Sequence, residues 1–237
     1  SYNDHFETQG DSVDDILPLL QTLRRRLYIA KGEDDEAVAK EKFSIYDPYF
    51  CTGTIAEVWK SLGFKNVFHE NRDFYADIEK GEIPDYDCLV TNPPFSGMHM
   101  QKLFTFLASS KKPYAVLMPS FNVTKTWFKE LFSNEDAPFT EPFYVVPKEN
   151  YQFDHPHGVG KGEFPLRTMW YVYGGPDCHD KQLEESAKAS LKDHLQVIHG
   201  TPAVMEVLPK RRRVARPIEE RWKAKRAVQH AGAGGSG

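Results

Sequence analysis

The stretch Asp87-Cys88-Leu89-Val90-Thr91-Asn92-Pro93-Pro94-Phe95 limits what this chain can fold into more than any other. Cys88-Leu89-Val90 is a short apolar run that reads as a buried strand. Pro93 and Pro94 then fix φ twice and remove two backbone donors, so neither a helix nor a central strand continues through them. What results is a stiff turn at a strand end, carrying one amide and one aromatic ring. Such a turn suits a flat polar ligand, because the Asn carbonyl accepts a hydrogen bond and the Phe face stacks. Alone, Asn-Pro-Pro reads more simply as an ordinary turn. A second stretch, residues 43–53, changes that balance.

Phe43-Ser44-Ile45-Tyr46-Asp47 reads as a strand ending in an acid. Pro48 to Gly53 is a loop, Thr54 to Leu62 a helix stopped by Gly63, and Val67-Phe68-His69-Glu70 a second strand ending in an acid. Strand, loop, helix, strand is the βαβ unit of a parallel sheet. Gly53 lets backbone come close to a ligand, and the helix behind it offers free N–H groups. Glu70 falls where a doubly wound fold places a carboxylate able to hold ribose hydroxyls. The Asn92 turn arrives at the same sheet edge, where ligands of such sheets sit beyond the carboxyl ends of the strands.

These residues resemble the class I S-adenosylmethionine-dependent methyltransferases of the amino-methylating type. Asp47-Pro48-Tyr49-Phe50-Cys51-Thr52-Gly53 is similar to the family's Asp-Pro-Phe-Cys-Gly-Ser-Gly loop, and Asn92-Pro93-Pro94-Phe95 to its catalytic (Asn/Asp)-Pro-Pro-(Tyr/Phe) motif. The resemblance covers residues 40–120 well and the late strands loosely. It implies a Rossmann-like α/β domain with a mostly parallel central sheet, an antiparallel late strand and helices on both faces. It implies S-adenosylmethionine as cofactor, held by Asp47, Tyr49, Cys51, Gly53, Glu70, Asp73 and Asn92. It implies catalysis by Asn92, Pro93, Pro94 and Phe95: the Asn92 side-chain oxygen and the Pro93 carbonyl accept the two hydrogens of an exocyclic amine, and Phe95 stacks on the base. Phe95, Phe121 and Asn122 are the expected substrate contacts. Asn-Pro-Pro-Phe resembles N6-adenine enzymes best; relatives with Asn-Pro-Pro-Tyr methylate a protein glutamine amide, and cytosine N4 is a lesser option. A catalytically inactive methyltransferase-like subunit is a further alternative.

Two departures from the family pattern carry expectations of their own. Cys51 stands where the loop has its first Gly. The interval from Glu70 to Asn92 is too short for the usual helix–strand–helix, so one strand is expected to be missing or reduced to a loop. Asp73 is then the candidate for the adenine-contacting acid, with capping of a turn at 74–80 as the plain alternative.

The rest of the chain frames this centre. A helix is expected from Val13 to Tyr28, capped by Asp11 or Ser12, followed by a charged loop or helix end over 31–42. Further helices are expected at Met98–Ser109, Trp127–Phe132 and Gln182–Leu195, and strands at Tyr114–Met118, Phe143–Val146 and Thr168–Tyr173. The domain is expected to span 13–200, after a loose N-terminus at 1–12. Residues 201–237 are expected as a basic extension and flexible tail. Residues 209–226 hold nine Lys/Arg against two Asp/Glu, leaving about −11 on the remainder of a chain whose net charge is −4. Such a tail suits a polyanion, and Pro209-Lys210-Arg211-Arg212-Arg213-Val214 resembles a nuclear localisation signal.

Three scattered cysteines, Cys51, Cys88 and Cys178, argue for a reducing, intracellular setting. Neither a signal peptide nor a membrane span is expected. No metal is expected, since His155, His157, Cys178 and His179 lack the spacing of a known site. Tyr151 to Pro165 reads as a substrate loop or a plain surface loop, and Trp170 as core. The expected partners are a nucleic acid, RNA ahead of DNA for want of an evident target-reading domain, and a protein that supplies the substrate.

Overall fold

The computed structural model describes residues 10–132, 140–151, 166–179 and 181–208. Its helices are α1 (Gly10–Ala30), α2 (Glu36–Lys42), α3 (Thr54–Ser61), α4 (Phe74–Lys80), α5 (His99–Ser110), α6 (Thr126–Glu130), α7 (Lys181–Ser190) and α8 (Thr201–Val207). Strands β1 (Ser44–Tyr46), β2 (Asn66–Phe68), β3 (Cys88–Thr91), β4 (Tyr114–Pro119), β5 (Phe143–Pro147), β6 (Thr168–Tyr173) and β7 (Leu195–His199) form one seven-stranded sheet, ordered β2-β1-β3-β4-β6-β5-β7. The first four of that order pair in parallel. β6 is antiparallel to both β4 and β5, and β7 is antiparallel to β5. Five strands therefore point one way and two the other, in a Rossmann-like α/β fold.

The central strands are apolar at successive positions because both faces of the sheet are covered. Ile45, Cys88, Val90, Ala115 and Leu117 face one layer, with Leu19 of α1, Trp59 of α3 and Leu183 of α7 in the same core. The residues between them face the other layer: Tyr46 meets Phe74 of α4, Tyr114 meets Phe104 of α5, and Tyr171 meets Phe128 of α6. Trp170 is buried, 1% exposed.

Several boundaries differ from the sequence reading. α1 begins at Gly10, so Ser12 is a buried first-turn residue rather than a cap. The charged run 31–42 contains α2, because Asp35 accepts from Ala37 N at 2.8 Å and closes its open end. The helix expected to reach Leu195 stops at Ser190, and Leu195–His199 pairs along β5 as an edge strand instead. Its partner lies some fifty residues away, and no local pattern announces it. Between β2 and β3 there is α4 and no strand, as the short interval required. Contacts gather the chain into two units, Ser1–Met205 with the sheet, and Glu206–Gly237. The first runs past residue 200, since Thr201 N donates to Glu141 Oε1 at 2.7 Å. The basic cluster at 209–226 lies outside the described residues, as does most of the Tyr151–Pro165 loop. Tyr151 itself is buried, its hydroxyl donating to Asp15 Oδ2 at 3.0 Å.

At the amino end of the sheet one carboxylate sets the relation of β1 to β3. Asp87 accepts from Ser44 N at 3.0 Å, Tyr28 OH at 3.2 Å and Lys31 Nζ at 2.6 Å, while its own N–H donates to Ser44 Oγ at 3.0 Å. Burial, then the Asp87 charge, push the Tyr28 hydroxyl up to about 12. Asp87→Ala strands these partly buried donors and is expected to lower unfolding free energy by about 2–3 kcal/mol in urea titrations. A loss under about 0.5 kcal/mol would show that water replaces the carboxylate.

Candidate active site

β1 and β3 are neighbours, but the chain leaves β1 into α3 on one face and β3 into α5 on the other. Their carboxyl ends therefore flank a crevice, the switch point where α/β sheets bind ligands. Both motifs singled out in the sequence open at this crevice.

Asp47 is the first residue past β1. Pairing of Tyr46 with both Phe68 and Leu89 sets Asp47 beside His69 on one side and near Thr91 on the other. Its carboxylate accepts from Thr91 Oγ1 at 2.5 Å and from Tyr49 N at 3.4 Å. His69 Nδ1 donates to the Asp47 carbonyl at 3.1 Å and stands 3.7 Å from Asp47 Oδ2. Burial pushes the carboxyl up to about 6, against the opposing pull of His69, the Thr91 hydroxyl and the Tyr49 N–H. Asp47 thus joins the loop after β1 to the strand end that delivers Asn92.

Gly53 starts α3 with φ 87°, a left-handed conformation that favours glycine. A Cβ there would lie 2.7 Å from Phe50 Cζ, because the Phe50 ring folds over the glycine. The close approach expected of a ligand is made by this chain's own ring, which also packs on His69 with centroids 5.0 Å apart.

Two adjoining cavities open here, sharing Pro48, Arg72 and Phe74. The larger, about 300 Å³, is lined also by Tyr49, Phe50, Asn71, Asp73, Tyr75, Pro94 and His99. The smaller, about 230 Å³, takes in Tyr46, Phe68, Glu70, Asp77, Glu82 and Pro84. Arg72 is pinned between them by two 2.8 Å bonds to Asp77 and one to Glu82. In the larger cavity, the Tyr49 and Tyr75 hydroxyls are 3.0 Å apart, and Tyr75 OH lies 2.8 Å from His99 Nδ1. Burial, chiefly, raises both tyrosines above their ordinary range and keeps them protonated. Asp73 caps α4, its Oδ1 accepting from Tyr75 N at 3.0 Å and Ala76 N at 3.2 Å, and still faces the cavity.

The fold therefore gathers Tyr49, Asp73 and Pro94 at one cavity and Glu70 at the next. Pro93 and Pro94 are buried; Asn92 and Phe95 are half-buried, with Asn92 Oδ1 shielded from solvent. Of the expected site residues, Asp47, Cys51, Gly53, Asn92, Pro93, Phe95, Phe121 and Asn122 line neither cavity. Cys51 is half-buried, Cys88 and Cys178 are buried, and none of the three is in a disulfide. Phe121 is half-exposed beyond β4, on the other side of the turn. Asn122 is turned inward, donating to Pro119 O at 2.9 Å and Met100 Sδ at 3.1 Å. Phe50, His69, Thr91, Tyr75 and His99 were not singled out in the sequence. Thr91 and His69 were legible in principle, since aligning the carboxyl ends of three parallel strands puts both beside Asp47. Tyr75 and His99 carry no such signal.

Among the described residues, no group of three or more His, Cys, Asp or Glu side chains is placed to hold a metal ion, and no helix is long and apolar enough to cross a membrane. No protein-family model matches the chain. No curated protein matches it either. Fold and geometry together define a Rossmann-like α/β protein with a crevice at its topological switch point.

Proposed function

We propose that this chain transfers a methyl group from S-adenosylmethionine to the N6 amino group of adenine in a nucleic acid, RNA ahead of DNA. The observation that carries this reading is the Thr91–Asp47 hydrogen bond. It ties the strand end bearing Asn92-Pro93-Pro94-Phe95 to the one that opens the Asp47–Gly53 loop, so the two motifs act as one site.

The residues present fit a nucleoside cofactor. The larger cavity has aromatic walls in Tyr49, Phe50, Phe74 and Tyr75, polar groups in Asn71, Arg72, Asp73 and His99, and a volume in the range of small-ligand sites. Glu70 in the adjoining space suits ribose hydroxyls. The bound cofactor supplies an electrophilic methyl on a sulfonium.

The remaining chemistry belongs to the chain. Asn92 Oδ1 and the Pro93 carbonyl accept the two amino hydrogens of the target, drawing the nitrogen lone pair out of ring conjugation and toward the methyl. Phe95 stacks on the base. Pro93 and Pro94 are rigid and buried, so the acceptors are placed before reaction. The N–CH₃ bond would form as the sulfonium S–CH₃ bond breaks, its electron pair staying on sulfur in S-adenosylhomocysteine; the surplus proton of the amine passes to solvent, and no strong general base is needed in the motif. Adenine reaches such a pocket only outside its stack. Access to a nuclear substrate through the basic cluster Pro209–Val214, and a protein partner that presents the substrate, belong to the same proposal.

The test uses radiolabelled S-adenosylmethionine with total RNA, genomic DNA and cell protein. Label recovered as N6-methyladenine is the expected result. Label in protein glutamine would replace the nucleic-acid reading. Absence of both label and cofactor binding in calorimetry would leave a methyltransferase-like scaffold.

A further inference from the structure

The strand order places β3 between β1 and β4, so the Asn92–Phe95 turn has two flanks. On one lie the loop after β1 and helix α4; on the other lies the turn Ser120–Thr124 after β4. The first turn of α5, which follows the motif, is tied to both. His99 Nδ1 meets Tyr75 OH at 2.8 Å on the α4 side, and Met100 Sδ meets Asn122 Nδ2 at 3.1 Å on the other.

Each flank carries a lysine over an aromatic ring. Lys102 Nζ sits 4.8 Å from the Tyr75 centroid, and Lys125 Nζ sits 5.3 Å from the Phe121 centroid. Both lysines are exposed, and among the described residues neither ammonium pairs with a carboxylate. Two other lysines that lie over aromatic rings, Lys31 on Tyr28 and Lys112 on Tyr86, each stand 2.6 Å from a carboxylate. Met98, in the connection from the motif to α5, is 58% exposed despite its apolar chain.

We propose that these two flanks seat a single-stranded nucleic acid, with Lys102 and Lys125 meeting phosphates on either side of the target nucleotide. Phe121 and Met98 meet the neighbouring bases. The inference rests on the nucleic-acid reading of the site and names what holds the polymer there. Charge complementarity selects the occupant: cations without acid partners beside aromatic faces answer alternating phosphates and bases. An extended peptide offers neither in series. A strand already unpaired also leaves its adenine free to enter the pocket without opening a duplex.

The test is fluorescence anisotropy of the full chain with adenine-containing RNA and DNA oligonucleotides of about 12 nucleotides, without cofactor, over a range of salt. Each phosphate contact to a single strand contributes about 0.7 to the slope of log K against log salt, so Lys102→Ala/Lys125→Ala is expected to flatten the slope by about 1.4. The basic tail contributes equally to both proteins and drops out of the difference. Phe121→Ala is expected to weaken binding about tenfold or more with the slope unchanged. The double arginine variant should keep the wild-type slope. Calorimetry with S-adenosylmethionine should give the same affinity for every variant.

An unchanged slope in the double alanine variant overturns the proposal, as does a wild-type protein that binds neither oligonucleotide. If cofactor binding survives in that last case, the methyltransferase reading outlives this one. Oligonucleotide binding with the expected slope change but no cofactor binding would do the reverse. The RNA and DNA arms decide which polymer is preferred.

Discussion

Replacing Asn92 by alanine should lower methyl transfer by a factor on the order of 10² to 10³, while S-adenosylmethionine affinity weakens by about tenfold at most. The proposed reaction gives the Asn92 oxygen its main task after binding, when the target nitrogen loses conjugation and its hydrogens grow more acidic. Removing one fixed group that acts on developing charge costs about that much in other acyl- and group-transfer sites. The cofactor loses at most one hydrogen bond, worth about 1 kcal/mol. The loss should therefore fall on kcat. Asn92→Asp keeps an acceptor oxygen in the same place and should retain more activity than alanine, even with its added charge. Single-turnover rates and calorimetry on the three proteins check this. Equal inactivity of the alanine and aspartate variants with intact cofactor binding would show that the amide acts through its NH₂ instead. A purely packing role would show as a common fall in melting temperature.

The second large effect concerns Asp47, whose carboxyl is pushed up to about 6. Activity should fall as pH drops below 6, because a protonated carboxyl is the weaker acceptor for the Thr91 hydroxyl and the Tyr49 N–H, which both bond to Oδ1. Thr91→Val removes a bond that favours the ionised form, so the acid limb should move to higher pH; Thr91→Ser should restore it.

Stability should move the opposite way. With its folded value above the unfolded one of 3.8, Asp47 holds more protons in the folded chain between about pH 4 and 6. Its contribution to stability is complete below about pH 4 and is lost as pH rises through 6, by roughly 3 kcal/mol. Asp47→Asn cannot lose it, so the variant should gain on wild type by that amount between pH 4 and pH 7 in urea titrations. A constant difference between the two proteins across that range would count against the shifted carboxyl. A pH–rate profile flat from 5 to 7 would show that the charge on Asp47 is not needed for turnover.

Much of this was readable from the chain. Pro93 and Pro94 end a strand wherever they occur, because they lack N–H groups and fix φ, and the apolar run before them has nowhere to go but a buried sheet. Asp47, Gly53 and Glu70 followed from the same local logic of strand, loop and helix. Even the missing strand between β2 and β3 was a matter of counting residues. The reason for Gly53 was read differently: its open face serves Phe50, and only the folded loop shows that.

What tertiary structure alone decided are the contacts between segments far apart in sequence. β7 exists because β5 offers an edge to Leu195–His199. Asp87 organises the opposite end of the sheet because α1, β1 and β3 meet there. Tyr49, Tyr75 and His99 converge on one cavity from three different connections, and the Thr91–Asp47 bond spans two strands. Hydrophobic period and turn chemistry act over a few residues and so are written locally. Hydrogen bonds of buried polar groups depend on which strand ends become neighbours, and that is settled only when the sheet is assembled.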